Sequence, residues 1–299
     1  MKLLKVAATI EQRRAWAGFI FILPWLIGFI YFFLMPFIKT IWFSFSTIQI
    51  SGEGMKTTFI GMQNYRKTFL EDPDNVRLIF SSLGDMVYQV SIIVVLSLFV
   101  AVILNQKFRG RVLARAIFAL PIIISSGVVI YLLKYDVLAQ SMQGSNQGAD
   151  LFQSSELMQM LIQSGFNVQL VSYFMGIVNG IYELIWKSGV QILLFLAALQ
   201  SIPGYLYEAS SLEGATKWEA FWKITFPLVS PFILVVAVYS IIDTFTDFEN
   251  PVMKKIFNLV AGMHYETVST LGLVYFLLVL IVIGVVTALI SRRVFYIEK

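Results

Sequence analysis

Few side chains in this sequence could do chemistry, and their spacing narrows which chemistry that is. There is no cysteine and His264 is the single histidine, so disulfides, thiol nucleophiles and thiolate or multi-histidine metal sites are excluded within it. What remains is a set of acidic, hydroxyl and amide groups inside apolar runs. Asp243 and Asp247 are four residues apart, which puts both on one helix face with Tyr239, and Ser240 and Thr244 lie beside them. Glu183 and Lys187 stand in the i, i+4 order that favours a helix ion pair, and Gly189 and Gln191 follow shortly after. Carboxylates, hydroxyls and amides that exchange hydrogen bonds, with Tyr239 to stack on a ring, suit a polyhydroxylated ligand. They do not suit catalysis: the two aspartates share one helix and no metal ligands accompany them. No catalytic residue and no metal site is assigned. The nearest likeness to a phosphate-binding loop runs from Gly61 to Thr68, but Arg66 replaces the second glycine that lets backbone N–H groups cradle phosphate.

The elements that hold these residues follow from composition. Of 299 residues, 58% are hydrophobic and 13% charged, and the mean hydropathy is +0.78. Soluble domains carry about 25% charged residues. A soluble enzyme, a disordered chain and a basic nucleic-acid-binding domain are therefore excluded, and an all-α integral membrane protein is expected. Crossing the bilayer takes about 20 mostly apolar residues. Six stretches qualify: Gly18–Ile38, Leu83–Leu104, Ala114–Leu133, Leu170–Leu199, Leu228–Phe248 and Val268–Ile290. The fourth is longer than needed and is interrupted by Glu183 and Lys187. The first follows Arg13 and Arg14 as a signal peptide would, but its apolar run is too long and no small-x-small cleavage site follows, so it reads as a retained span.

Lysine and arginine near span ends set orientation. The short connection after the second stretch holds Lys107, Arg109 and Arg111, with Arg115 just beyond, and marks an inner loop. Both termini are then cytoplasmic. The expected organisation is a cytoplasmic segment 1–17, one membrane domain 18–291 and a cytoplasmic tail 292–299, within a bacterial or archaeal plasma membrane. Three outer segments follow, the second of them rich in Gln, Ser, Gly and Asn and including a short interfacial helix near Leu151–Ile162. His264 falls in the third, with a surface role.

The inner loop 200–227 is too long and too patterned for a simple turn. Pro203 and Gly204 break the preceding helix. A short helix can run to Glu213, and Gly214 can end it. Trp218, Phe221 and Trp222 follow at i, i+3, i+4, and Pro227 opens the next span where a missing N–H costs nothing. Two short helices at a break make a protruding amphipathic feature, suited to docking in a groove of another protein.

This loop resembles the EAA loop of permease subunits of binding-protein-dependent ABC importers. Glu208, Ala209, Ser210, Gly214, Ile224 and Pro227 stand at that family's spacing. The flanks, Leu199 to Pro203 and Trp218 to Thr225, resemble its carbohydrate branch, the maltose-type permeases. Ser210 stands where Ala is commoner, and Phe226 where Leu usually precedes Pro. Ile60 to Tyr65 and the run from Arg115 to Pro121 are similar to further segments of the family. The resemblance implies a transport subunit rather than an enzyme, with about six transmembrane helices and no cofactor of its own. ATP and Mg would be bound by two cytoplasmic ATPase subunits. A second permease subunit, an extracytoplasmic solute-binding protein, a carbohydrate substrate and membrane lipid are the other implied partners, and no nucleic acid. Glu208 and Gly214, with Ala209, Ser210, Trp218, Ile224 and Pro227, would meet the ATPase. Tyr239, Ser240, Asp243, Thr244, Asp247, Gly189 and Gln191 would lie near substrate. The alternatives are an ion-coupled secondary transporter using the intramembrane carboxylates, disfavoured because no inverted repeat appears, and an intramembrane enzyme.

Overall fold

A computed structural model describes residues 10–51, 54–106, 108–125, 164, 167–248, 250–292 and 294. Apart from one hairpin, the described chain is built of helices: α1 Ile10–Phe29, α2 Met35–Ser44, α3 Gln63–Arg66, α4 Pro73–Asn105, α5 Arg111–Ser125, α6 Val168–Lys187, α7 Gly189–Gln200, α8 Gly204–Leu212, α9 Lys217–Ala220, α10 Phe226–Thr246, α11 Pro251–Ala261 and α12 Tyr265–Ser291. The hairpin pairs β1 Ser46–Ser51 with β2 Gly54–Phe59, antiparallel, with Ser46 opposite Phe59.

Proline explains where these helices lose their regular pitch. Wider, π-helical turns occupy Ile30–Leu34, Lys67–Glu71 and Phe221–Thr225, and each lies just ahead of Pro36, Pro73 or Pro227. A proline has no N–H to donate and its ring presses on the carbonyl four residues earlier. Ahead of Pro36 and Pro227, widening the turn relieves that clash while the chain stays helical, whereas ahead of Pro73 the helix ends at Asp72 (φ −118°, ψ 86°) and Pro73 opens α4.

Four helical segments among the described residues are long and apolar enough to cross a membrane: Trp16–Ser44, Pro73–Asn105, Lys217–Ala261 and Tyr265–Ser291. They hold the first, second, fifth and sixth expected stretches. Of the third stretch, α5 covers the start, and the part beyond Ser125 lies outside the described residues, as does the expected interfacial helix near Leu151–Ile162. The fourth stretch is two helices. α6 ends at Ser188, whose Oγ and N–H both turn back to the Ile185 carbonyl, and α7 begins at Gly189. Counted as one span bent by 63°, α7 and α8 together add a fifth crossing.

The chain divides into two compact units, each described by itself: Met1–Ser82 with Phe248–Leu280, and Leu83–Asp247 with Ile281–Lys299. In the first unit, polar groups fix the turns. Asn64 Nδ2 donates to the carbonyls of Ser44 (3.0 Å) and Ser46 (2.9 Å), and the Tyr65 hydroxyl meets Ser44 Oγ at 2.9 Å. The segment Gly61 to Tyr65 thus latches the passage from α2 into the hairpin. Asn250 caps α11, and its amide closes a buried triad with Ser82 (3.1 Å) and Tyr275 (2.9 Å). Every member has a partner, so burial of these polar atoms is compensated. In the second unit, α4, α7 and α10 bury a core that includes Ala101, Leu104, Ile192, Phe195, Leu199, Val229 and Val236.

Candidate functional site

The loop between α7 and α10 is held by local rules that can be followed residue by residue. Pro203 is extended (φ −62°, ψ 131°) and starts α8 in a new direction. α8 ends on Glu213, and Gly214 takes φ +79°. The Gly214 N–H donates to Ser211 O (3.1 Å) and the Ala215 N–H to Ser210 O (3.0 Å), the paired bonds of a Schellman cap. A Cβ on Gly214 would meet no atom within 4 Å, so glycine is required by the left-handed backbone and not by space. Thr216 then opens α9 with a capping box: Glu219 N–H donates to Thr216 Oγ1 (3.3 Å), and the Thr216 N–H donates to Glu219 Oε2 (2.9 Å). The backbone and hydroxyl hydrogen bonds from Thr216, followed by the Lys223 charge, hold the Glu219 carboxyl below its ordinary range.

One side of α8 is anchored. Tyr207 OH meets Thr225 Oγ1 at 2.8 Å, tying α8 to the wide turn ahead of α10, and Leu206, Tyr207 and Ser210 are half-buried. The other side is open. Tyr205, Glu208, Ala209 and Leu212 stand at i, i+3, i+4, i+7 and are all exposed, Tyr205 at 66% and Leu212 at 90%. Glu208, Ala209 and Gly214 are therefore accessible together. Ser210 is half-buried and donates to the Tyr207 carbonyl, and Ile224 and Pro227 are half-buried at the foot of the loop. Trp218 is exposed and edge-on to Trp222. Tyr205 and Leu212 are absent from the motif-based set. The signal that finds them is the helical repeat through Glu208, which a motif of fixed positions passes over.

The polar residues of α6, α7 and α10 divide differently from expectation. Gln191 and Ser240 are fully buried, and Gln191 Nε2 donates to Ser240 Oγ at 3.1 Å. Gln191 Oε1 is buried without a hydrogen-bond partner. Thr244 is buried one turn beyond Ser240, Gly189 is buried at the start of α7, and Tyr239 and Asp243 are half-buried. α10 stops at Thr246, and Asp247 is its C-terminal cap (φ −62°, ψ 131°), so the chain turns away only after Asp247, whose side chain still leaves from the i+4 position to Asp243. The Asp247 carboxylate forms an ion pair with Lys187 at the end of α6. The side chain of Glu183, the expected partner of Lys187, lies outside the described residues. No cluster of three or more His, Asp or Glu side chains able to hold a metal occurs among the described residues.

With that geometry in place, likeness to other proteins becomes interpretable. No family model matches the chain. It is 28% identical over 236 residues to the probable ABC transporter permease protein YesP of Bacillus subtilis (strain 168), covering 78% of this chain and 71% of that protein. It is 28% identical over 241 residues to the arabinooligosaccharides transport system permease protein AraP of the same organism, covering 78% and 70%. It is 29% identical over 242 residues to the sn-glycerol-3-phosphate transport system permease protein UgpA of Yersinia pestis, covering 77% and 75%. In fold it matches a chain of the crystal structure of a bacterial alginate ABC transporter in complex with alginate pentasaccharide-bound periplasmic protein. That match has a TM-score of 0.69 over 95% of this chain and 96% of that one, at 21% identity.

Proposed function

We propose, from the premise that the chain is the multi-pass membrane permease subunit of an ABC transporter and not itself an enzyme, that it imports a carbohydrate by coupling to separate ATPases through α8. The observation that carries the coupling reading is the open stripe Tyr205, Glu208, Ala209 and Leu212. A short amphipathic helix with one anchored side and one bare side fits a groove on a partner. Glu208, Ala209, Ser210, Gly214, Trp218, Ile224 and Pro227 are the coupling set. Glu208 and the stripe make the contact, and Gly214 and the Tyr207–Thr225 bond transmit its movement to α10. ATP and Mg belong to two cytoplasmic ATPase subunits. This loop and both termini then face the cytoplasm, with 1–17 and 292–299 flanking a membrane domain 18–291.

The substrate reading rests on the relatives' names and on charge. Arabinooligosaccharides, alginate and sn-glycerol-3-phosphate are named for relatives or a fold neighbour. The half-buried carboxylate of Asp243 would repel a phosphate ester and accept hydrogen bonds from sugar hydroxyls, which favours a neutral sugar or oligosaccharide. We assign Tyr239 and Asp243 the leading contacts, the buried Gln191, Ser240, Thr244 and Gly189 a supporting place behind them, and Asp247 the role of holding Lys187. A second permease subunit completes the path, and an extracytoplasmic solute-binding protein delivers substrate. The test is uptake of a labelled oligosaccharide into vesicles holding the assembled transporter. Uptake that requires ATP and the binding protein supports the proposal. Uptake by this chain driven by an ion gradient alone would overturn it and restore the ion-coupled alternative.

A further inference from the structure

Beside the coupling loop lies an apolar groove of about 670 Å³, walled by Val95 and Phe99 of α4 and by Trp218, Trp222, Phe226 and Ile233. Lys217 is part of its wall and also lines an adjoining hollow of about 220 Å³ that holds Asn105, Gln106, Tyr207 and Thr225. The two spaces share Val102, Lys217 and Phe221 in their walls, and the smaller one adds the polar side chains. Lys217 is exposed and forms no ion pair among the described residues. Arg115 brings a second cation near the hollow, with Nη2 donating to Leu104 O at 3.0 Å, one residue from Asn105. From Val95 to Val102 the groove follows α4 for about 10 Å, the direction an acyl chain takes beside a spanning helix. Trp218 and Trp222 supply the amphipathic rings found where hydrocarbon meets headgroups.

We infer that this groove is a binding site for an anionic phospholipid, with one acyl chain against Val95 and Phe99 and the phosphate on Lys217. Charge complementarity selects the lipid: a lysine without an ion pair among the described residues, in the shared wall of an apolar slot and a more polar hollow, favours an acidic headgroup over a zwitterionic one. A helix of another chain laid in the groove would leave Lys217 without an anion unless it carried one. Placing the lipid in the cytoplasmic leaflet rests on the inward orientation proposed above, whereas the site itself does not.

The test uses the assembled transporter with p-benzoylphenylalanine in place of Phe99. It is reconstituted in vesicles of equal phosphatidylglycerol and phosphatidylethanolamine, irradiated, and the adducts are weighed by mass spectrometry. The expected result is a lipid adduct with about fivefold preference for phosphatidylglycerol, which Lys217→Gln reduces to parity. Adducts to another polypeptide, or equal yields of the two lipids with Lys217 intact, would overturn the site. A Glu213→Cys label, unique because the chain has no cysteine, reports orientation separately through an impermeant maleimide. A wrong orientation and a wrong lipid assignment thus give different readouts.

Discussion

The α8 loop and the C-terminal end of α10 both carry carboxylates on short helical repeats, yet they are built by opposite means. On the loop, backbone chemistry decides the geometry. Pro203 turns the chain, the Schellman cap on Gly214 stops α8, and the Thr216–Glu219 box starts α9, all between Pro203 and Glu219. The result leaves Glu208 in the open. At the end of α10, tertiary partners decide. Ser240 is hydrogen-bonded to Gln191 on α7, and Asp247, capping the C-terminal end of α10, pairs with Lys187 on α6. A local motif can thus be read from one segment, whereas a polar group in a span acquires its role from whichever helix lies beside it.

The strongest way to break this contrast is to remove the local rule on the loop. Gly214→Pro forces φ to about −65° and deletes the N–H that donates to Ser211, a disturbance of about 3 kcal/mol. ATP-driven uptake should fall roughly tenfold or more with the amount of transporter in the membrane unchanged, and Gly214→Asn, which tolerates the left-handed backbone, should recover most of it. Unaltered uptake in the proline variant would remove Gly214 from the coupling path. In the span, Lys187→Met leaves the Asp247 carboxylate without its cation, and partial exposure limits the loss to roughly 2 kcal/mol. Thermal unfolding of the purified transporter should show that loss, and Asp247→Asn in the same chain should restore it. If the double variant stays as unstable as the single one, Asp247 acts otherwise than through Lys187. Asp243→Asn, by contrast, should raise the KM of uptake several-fold while leaving stability nearly unchanged.

The smaller effects sharpen the loop's side of the comparison. Thr216→Ala removes the cap of α9 and should cost about 1 kcal/mol, seen as faster amide exchange across residues 217–220. The Glu219 carboxyl, held below its ordinary value in the folded loop, adds stability that is present above the unfolded value and is lost as pH falls through the folded one. Protection of this segment, taken relative to the intrinsic exchange rate at each pH, should therefore be level through neutral pH and fall only in acid below the usual carboxylate range. In Glu219→Gln that acid step should vanish.

Much of the fold was legible because span length and the punctuation of proline, glycine and capping residues are local. The first, second, fifth and sixth spans and the break after Gln200 follow from run lengths and from Pro203 and Gly204. The division of the fourth stretch at Ser188 was not, because no proline marks it, and its bond back to Ile185 depends on a rotamer. Nor could spacing reveal that Asp247 pairs with Lys187, since that ion pair joins residues 60 positions apart in the chain. Gln191 and Ser240 were both visible as polar residues in apolar runs. That they face each other was not, because which faces of α7 and α10 pack together is a tertiary fact.

The central claim is that the bare stripe of α8 meets the ATPase, and it can be tested at one residue. Leu212→Cys places a single thiol on that stripe in a chain with no other cysteine. With the assembled transporter in membranes, a short thiol-to-amine cross-linker should join this thiol to an ATPase subunit, and Glu208→Lys in the same chain should weaken that product and separate ATP hydrolysis from uptake. A thiol that reacts freely with soluble maleimide in the full complex, with no ATPase product and with coupling intact in Glu208→Lys, would contradict the account.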